Sequence, residues 1–101
     1  MITISEKARE LIANNNITEV YLELRYSKGP CSDNLCKMIP HVDVSLVKHS
    51  SSYLVIYEEQ GLRILAVPPV ANSIKKHNDE VYIFKPGFAK TLRISGITYS
   101  F

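Results

Sequence analysis

The sequence contains few of the residues that mark a specialised class of protein. Its 101 residues include two cysteines, four glycines and no tryptophan, and no stretch approaches the ~20 apolar residues of a membrane span. Twelve basic and ten acidic residues are well mixed along the chain, with one small basic cluster at Lys75, Lys76 and His77. Nucleic-acid binding normally requires a basic face with interleaved aromatic residues. We therefore expect no nucleic-acid partner and no membrane partner.

The signatures of common enzymes are also missing. The sequence shows no Ser-His-Asp order, no glycine-rich phosphate loop and no His-Glu-x-x-His motif. Its N-terminus lacks the basic region and apolar run of a targeting signal. These observations predict a cytoplasmic protein that is not an enzyme.

The composition is that of an ordinary globular domain. Apolar residues make up 46% of the chain and charged residues 22%, which argues against wholesale disorder. A chain of this length buries roughly 60 to 70% of the surface that its unfolded form exposes. We therefore predict one domain, spanning residues 1–101, that needs neither metal nor disulfide merely to fold.

The spacing of apolar residues predicts a short helix followed by strands. A helix is expected from about Glu6 to Asn14, because Ala8, Leu11 and Ile12 share one helical face, and Ser5 is the expected N-cap. A further turn or two of helix is expected within 70–76. Strand-like runs occur at 18–26, 42–47, 53–57, 62–67, 80–84, 91–94 and 97–101. We expect 53–57 and 62–67 to form an antiparallel pair, and 91–94 and 97–101 to form a final pair. The predicted fold is α+β and β-rich, with about six mostly antiparallel strands.

Both cysteines fall in one segment, Gly29 to Cys36, between two predicted strands. Pro30 has no N–H to donate to a sheet, and Gly29 permits a positive φ. We therefore expect the chain to leave the sheet just before Cys31 and to form a loop.

A Cys-x4-Cys pair in a reducing cytoplasm favours a metal or redox role over a structural disulfide. One pair supplies only two of the four thiolates that zinc or an iron-sulfur cluster usually takes. The nearest further candidates in the sequence are His41 and Asp33, and a two-fold dimer would supply the same pair from its partner. Three other readings of Cys31 and Cys36 remain open: small buried apolar residues, a loop disulfide, and a thiol-disulfide switch.

Four segments of the sequence occur in the order found in one protein family. Residues 1–12 contain a short strand-like run and a Glu-Lys-Ala helix, and 20–26 is strand-like. The segment 29–32 reads Gly-Pro-Cys-Ser, and 59–64 is an acidic turn followed by a strand-like run. In these segments the chain resembles the HesB/IscA family, the A-type iron-sulfur carriers, whose corresponding loop is Gly-Gly-Cys-Ser-Gly. The resemblance implies a β-rich α+β fold and a role in iron-sulfur chemistry.

Members of that family hold iron or a cluster, often as dimers, through one mid-chain cysteine and a C-terminal Cys-Gly-Cys. Cys31 matches the mid-chain cysteine, the sequence has no C-terminal cysteine pair, and Cys36 would complete a rearranged site. The resemblance thus implies a divergent homodimeric member that binds iron, zinc or an iron-sulfur cluster through Cys31 and Cys36. Its partner would be an iron-sulfur client or assembly protein. The alternative is a non-catalytic protein-interaction module that kept the fold and lost the cluster site.

Overall fold

The computed structural model describes residues 2–32, 35–87 and 90–98, with the side chains at 30, 32 and 35–37 outside the description. The described part contains β1 (Ile2–Ile4), α1 (Glu6–Asn14), β2 (Glu19–Ser32), β3 (Leu35–Ser45), β4 (Leu54–Glu59), β5 (Leu62–Ala66), α2 (Pro68–His77), β6 (Val81–Phe84) and β7 (Arg93–Ser95). The prediction of an α+β, β-rich fold with an N-terminal helix is confirmed. Neither described helix is long and apolar enough to cross a membrane.

The strands form two sheets, a larger one in the order β3-β2-β5-β4 and a smaller one in the order β1-β6-β7. The β2–β3, β4–β5 and β6–β7 pairs are antiparallel, and the β4–β5 pair is the one that the sequence predicted. The β2–β5 and β1–β6 pairs are parallel. The expected pairing of 91–94 with 97–101 is wrong for the described residues, because β7 pairs with β6; residues 99–101 lie outside the description. Alternation identifies a strand and its buried face but carries no information about its partner.

Helix α1 begins and ends where its sequence predicts. The Ser5 Oγ accepts a hydrogen bond from the Ala8 N–H at 3.2 Å, which satisfies one of the free amides of the first turn. Ala8 and Ile12 lie buried on one face, while Asn16 adopts φ 52°, a left-handed conformation that asparagine tolerates well. The helix therefore packs one apolar face against the core and ends at the three consecutive asparagines, residues 14–16.

Helix α2 is longer than the predicted turn or two. Pro68 and Pro69 occupy its first turn, where a missing N–H costs nothing, and Asn78 closes it in the left-handed region at φ 52°. The basic residues Lys75, Lys76 and His77 fall in its last turn, where positive charge suits the helix dipole. The basic cluster of the sequence therefore has a structural explanation.

One apolar core joins both sheets and both helices. Its fully buried large side chains are Val20, Leu22, Ile64, Val70, Val81 and Ile83. Burying a side chain such as Leu22 contributes roughly 1.5 to 3 kcal/mol to folding. The core thus lies beside the first half of β2 and leaves the second half without comparable packing.

The buried carboxylate of Glu23 is fully hydrogen-bonded. The Tyr53 hydroxyl donates to Oε1, and the Ser50 hydroxyl donates to Oε2 at 3.1 Å. The same Tyr53 oxygen accepts the backbone N–H groups of His49 and Ser50, and its ring lies 4.9 Å from that of Tyr21. This network fastens the β3–β4 connection to β2.

The segment after β7 is fixed against the connection between α2 and β6. Gly96 has φ 89°, and a Cβ at this position would collide with the Glu80 carbonyl, so glycine is required there. The Thr98 N–H and hydroxyl donate to the Asp79 carboxylate at 2.9 and 2.7 Å. Burial by itself raises the pKa of Asp79, but the two Thr98 hydrogen bonds and nearby His77 lower it below its ordinary value.

Candidate functional site

The β2–β3 hairpin extends well beyond the rest of the larger sheet. Strand β5 pairs with β2 only between Glu19 and Leu22, whereas β3 follows β2 as far as Ser32. We call residues 26–32 and 35–40 the distal hairpin. The molecule measures 50 × 31 × 25 Å along its principal axes, which agrees with a projecting ribbon. In the distal hairpin, each described strand has only the other as its ladder partner.

The distal hairpin exposes large apolar side chains. Tyr26 is 53% exposed, Met38 57% and Ile39 50%. Because side chains alternate between the two faces of a strand, Tyr26 and Met38 continue the core-facing side of the ribbon, and Ile39 lies on the other side. The face of the ribbon that packs on the core near its base is therefore exposed to solvent in the distal hairpin.

The expectation of a loop from Gly29 onward is wrong. Strand β2 continues to Ser32 and β3 begins at Leu35, so both cysteines lie within strands. The ladder accommodates Gly29 and Pro30 by a register shift, in which three steps from Lys28 to Cys31 oppose two on β3. Proline is tolerated in strands at such bulges, where the missing N–H breaks no ladder bond.

The bulge also decides which face carries Cys31. Without it, Cys31 would share the face of Arg25 and Ser27, since odd-numbered residues of β2 lie together. With one extra residue inserted, Cys31 returns to the face of Tyr26 and Lys28. The first cysteine therefore lies on the core-facing side of the ribbon, beyond the core.

The ladder places the two predicted site residues opposite each other. Cys31 and Cys36 are Cα partners across the hairpin, and Cys31 is exposed. Cys31 is disulfide-bonded, and the chain contains one other cysteine, Cys36. Opposed residues of an antiparallel pair have Cα separations of about 4.5 to 5.5 Å, within the range that a disulfide spans. A sulfur in a disulfide is not a thiolate, so metal binding at Cys31 requires prior reduction.

Of the two further ligands considered from the sequence, His41 lies in the described part of the chain and does not join this pair. Asp33 lies outside the described residues. His41 lies five residues along β3 from Cys36, or about 16 Å at the usual strand rise, and on the opposite face of the ribbon. Among the residues that are described, no group of three or more His, Cys, Asp or Glu side chains is arranged to hold a metal ion.

A polar cluster on the opposite face was missed by the sequence analysis. The Asp43 Oδ2 lies 3.0 Å from the Arg25 Nε and 3.5 Å from the His41 Nε2. The Ser27 Oγ lies 3.2 Å from the other ring nitrogen, Nδ1, of His41. The available signal was the alternation itself, because Arg25, Ser27, His41 and Asp43 all occupy odd positions of two paired strands.

Comparison with known proteins adds little. No family model matches the chain, and no curated protein matches it. Among solved structures, it is similar to the solution NMR structure of a protein from Aquifex aeolicus, a structural-genomics target. The two are 18% identical with a TM-score of 0.43, over 93% of this chain and 89% of the other. The protein is thus described by its fold class, and membership of the HesB/IscA family stays a prediction.

Proposed function

We propose that the distal hairpin is a dithiol site that binds iron, zinc or an iron-sulfur cluster when it is reduced, and that the protein passes this cargo to a client or assembly protein. The observation that carries the proposal is the placement of Cys31 directly across the ladder from Cys36, at the exposed end of a projecting ribbon. The resemblance of residues 1–12 and 29–32 to HesB/IscA proteins supports the same chemistry.

The proposed ligand set combines two copies of the chain. Cβ atoms of directly opposite residues in an antiparallel pair lie about 4.5 to 5.5 Å apart, so one thiophilic metal ion can bind both cysteines of a hairpin. Two hairpins related by a two-fold axis supply four thiolates, the number that zinc and small clusters take. The exposed Tyr26 and Met38 give the second copy an apolar surface beside the site.

The disulfide at Cys31 defines the inactive form in this proposal. A dithiol reductant donates two electrons to the disulfide, two thiols form, and the reductant becomes a disulfide. A cytoplasmic location, where thiols stay reduced, keeps the site ready for metal. Oxidation reverses the step and removes both thiolate ligands at once.

Elemental analysis after reduction tests the proposal. The chain is reduced anaerobically with dithiothreitol, separated from it, reconstituted with ferrous iron and sulfide or with zinc, and desalted. We expect about half a metal ion per chain for a shared zinc ion, or one iron per chain for a shared two-iron cluster, with thiolate-to-iron absorption in the latter case. Cys31→Ser and Cys36→Ser should each abolish retention.

Met38→Leu is the matched control, because it removes the other hairpin sulfur and conserves the volume of an exposed side chain. It should retain metal as the unaltered protein does. The proposal would be refuted if the reconstituted protein stayed colourless and bound no metal, or if it bound the same amount of metal with and without the two cysteines. The exposed Tyr26, Met38 and Ile39 would then favour the second candidate, a non-catalytic module that works through protein contacts at the distal hairpin.

A further inference from the structure

We propose that the cleft between β3 and β7 binds a small oxyanion, a carboxylate or phosphate compound, through Arg25 and Arg93. The cleft has a volume of about 640 Å³ and lies where the edge strand of the larger sheet approaches that of the smaller sheet. This volume is typical of small-ligand sites. The inference is independent of the proposed dithiol site, since the Arg25 face of the ribbon is opposite that of Cys31.

Arg25 is held in a position that leaves its binding groups available. Its Nε lies 3.0 Å from the Asp43 Oδ2. Within the described residues, no side chain forms an ion pair with its two terminal nitrogens. An anchored guanidinium loses less conformational entropy on binding than a free one, and its planar fork matches the oxygens of a carboxylate or phosphate.

Arg93 approaches the same cleft from the other sheet. It begins β7, pairs with Phe84 in the ladder, and lines the cleft together with Thr91. It is exposed and forms no ion pair in the described part of the chain. Two arginines from different sheets therefore line one cleft.

The charge balance of the cleft favours an anion. Arg25 and Arg93 contribute two positive charges and Asp43 one negative charge, so the lining is net positive even with His41 neutral. The Ser27 hydroxyl lies 3.2 Å from the His41 Nδ1, which fixes the ring with Nε2 on the side of Asp43. Asp43 is a positioning residue here, because its carboxylate orients Arg25 while repelling the ligand.

Titration with two defined anions tests this inference. The full chain, with its disulfide intact, is titrated with sodium citrate and with sodium phosphate at constant ionic strength, and backbone amide shifts are followed by NMR. We expect saturable shifts at residues 41–45 and 91–94 with at least one of them. Saturation by citrate alone identifies a carboxylate ligand, by phosphate alone a phosphate ligand, and by both a general oxyanion site.

The decisive variants are Arg93→Gln and Arg25→Gln, each expected to weaken binding about tenfold or more, because each removes a fork of charged donors. Arg63→Gln is the matched control: its side chain is 48% exposed, as that of Arg25 is, and it also pairs with an acid, Glu19, on a neighbouring strand. It should change affinity less than about twofold, since it lies outside the cleft. Equal weakening by all three variants, or the absence of saturable shifts with both anions, would overturn the inference.

Discussion

The two halves of the β2–β3 hairpin share one ladder but differ in what lies against them. In the near half, Leu22 is 0% exposed and Glu23 4%, and β5 flanks β2 on its other side. In the far half, which is the distal hairpin, Tyr26 is 53% exposed and Met38 57%. No other described strand pairs with β2 or β3 there. Both halves therefore share backbone pairing, but only the near half has buried side chains among the described residues.

This difference separates a packed region from an accessible one. A two-stranded ribbon by itself is marginally stable in water, so the far half depends on its attachment to the near half and on the cross-link at Cys31. Exposure is what a reactive sulfur needs if a reductant, a metal or a partner protein is to approach it. The near half holds the hairpin in place, and the far half is left accessible.

Replacing one large side chain in each half should show the largest contrast. Leu22→Ala should lower the free energy of unfolding by about 2 to 5 kcal/mol, because it leaves a cavity in a packed core. Met38→Ala should change it by less than about 0.5 kcal/mol, because the side chain is already exposed. Urea unfolding of the oxidised protein measures both. An equal cost for Met38→Ala would mean that the far half is covered in solution, which a dilution series would reveal as a concentration-dependent midpoint.

Removing one hydroxyl from the near half should have a smaller effect. Tyr53→Phe keeps the ring packed on Tyr21 but deprives Glu23 of a donor, which should cost about 1 to 3 kcal/mol. Tyr21→Phe is the control, because its hydroxyl donates to the partly exposed carboxylate of Glu19, and it should cost less than about 1 kcal/mol. Equal losses in the two variants would show that the buried carboxylate does not depend on Tyr53.

Acid should lower the free energy of unfolding by protonating Asp79, which lies outside the β2–β3 hairpin. Its folded-state pKa is lowered, so the carboxylate stabilises the fold at pH values above the unfolded pKa of about 3.9, and this contribution is lost as the pH falls through the folded-state pKa. Asp79→Asn should therefore be less stable by about 1 to 2 kcal/mol at neutral pH. The melting temperatures of the two proteins should converge as the pH falls from above the unfolded pKa of about 3.9 through the lower folded-state pKa. A constant gap would assign the stabilisation to packing alone.

The sequence allowed the fold class to be predicted because its signals are local. Ser5 as the N-cap, the apolar face of α1 and the alternation from Val20 to Tyr26 each follow from neighbouring residues, and the structure has them in place. The parallel β2–β5 and β1–β6 pairs did not follow, because strand partners are chosen by packing across the whole chain.

The site was predictable in part for a similar reason. Cys31 and Cys36 were singled out by residue type, but the sequence indicated a loop at Gly29 and Pro30, where the structure has paired strands. The propensities of those two residues were outweighed by the long ladder on either side of them. The cleft lined by Arg25 and Arg93 could not be predicted from the sequence, because these residues are far apart in the chain and line one cleft only after both sheets form.

The extra residue in β2 near Gly29 also affects how this chain should be aligned with others. An ungapped alignment of β2 with a strand that lacks the insertion would match Cys31 to a residue of the opposite face. Such an alignment would preserve similarity before the insertion and misassign each position after it. A one-residue gap at 29–30 restores the correspondence, so searches for related two-cysteine hairpins should allow a variable number of residues between the strand and its first cysteine.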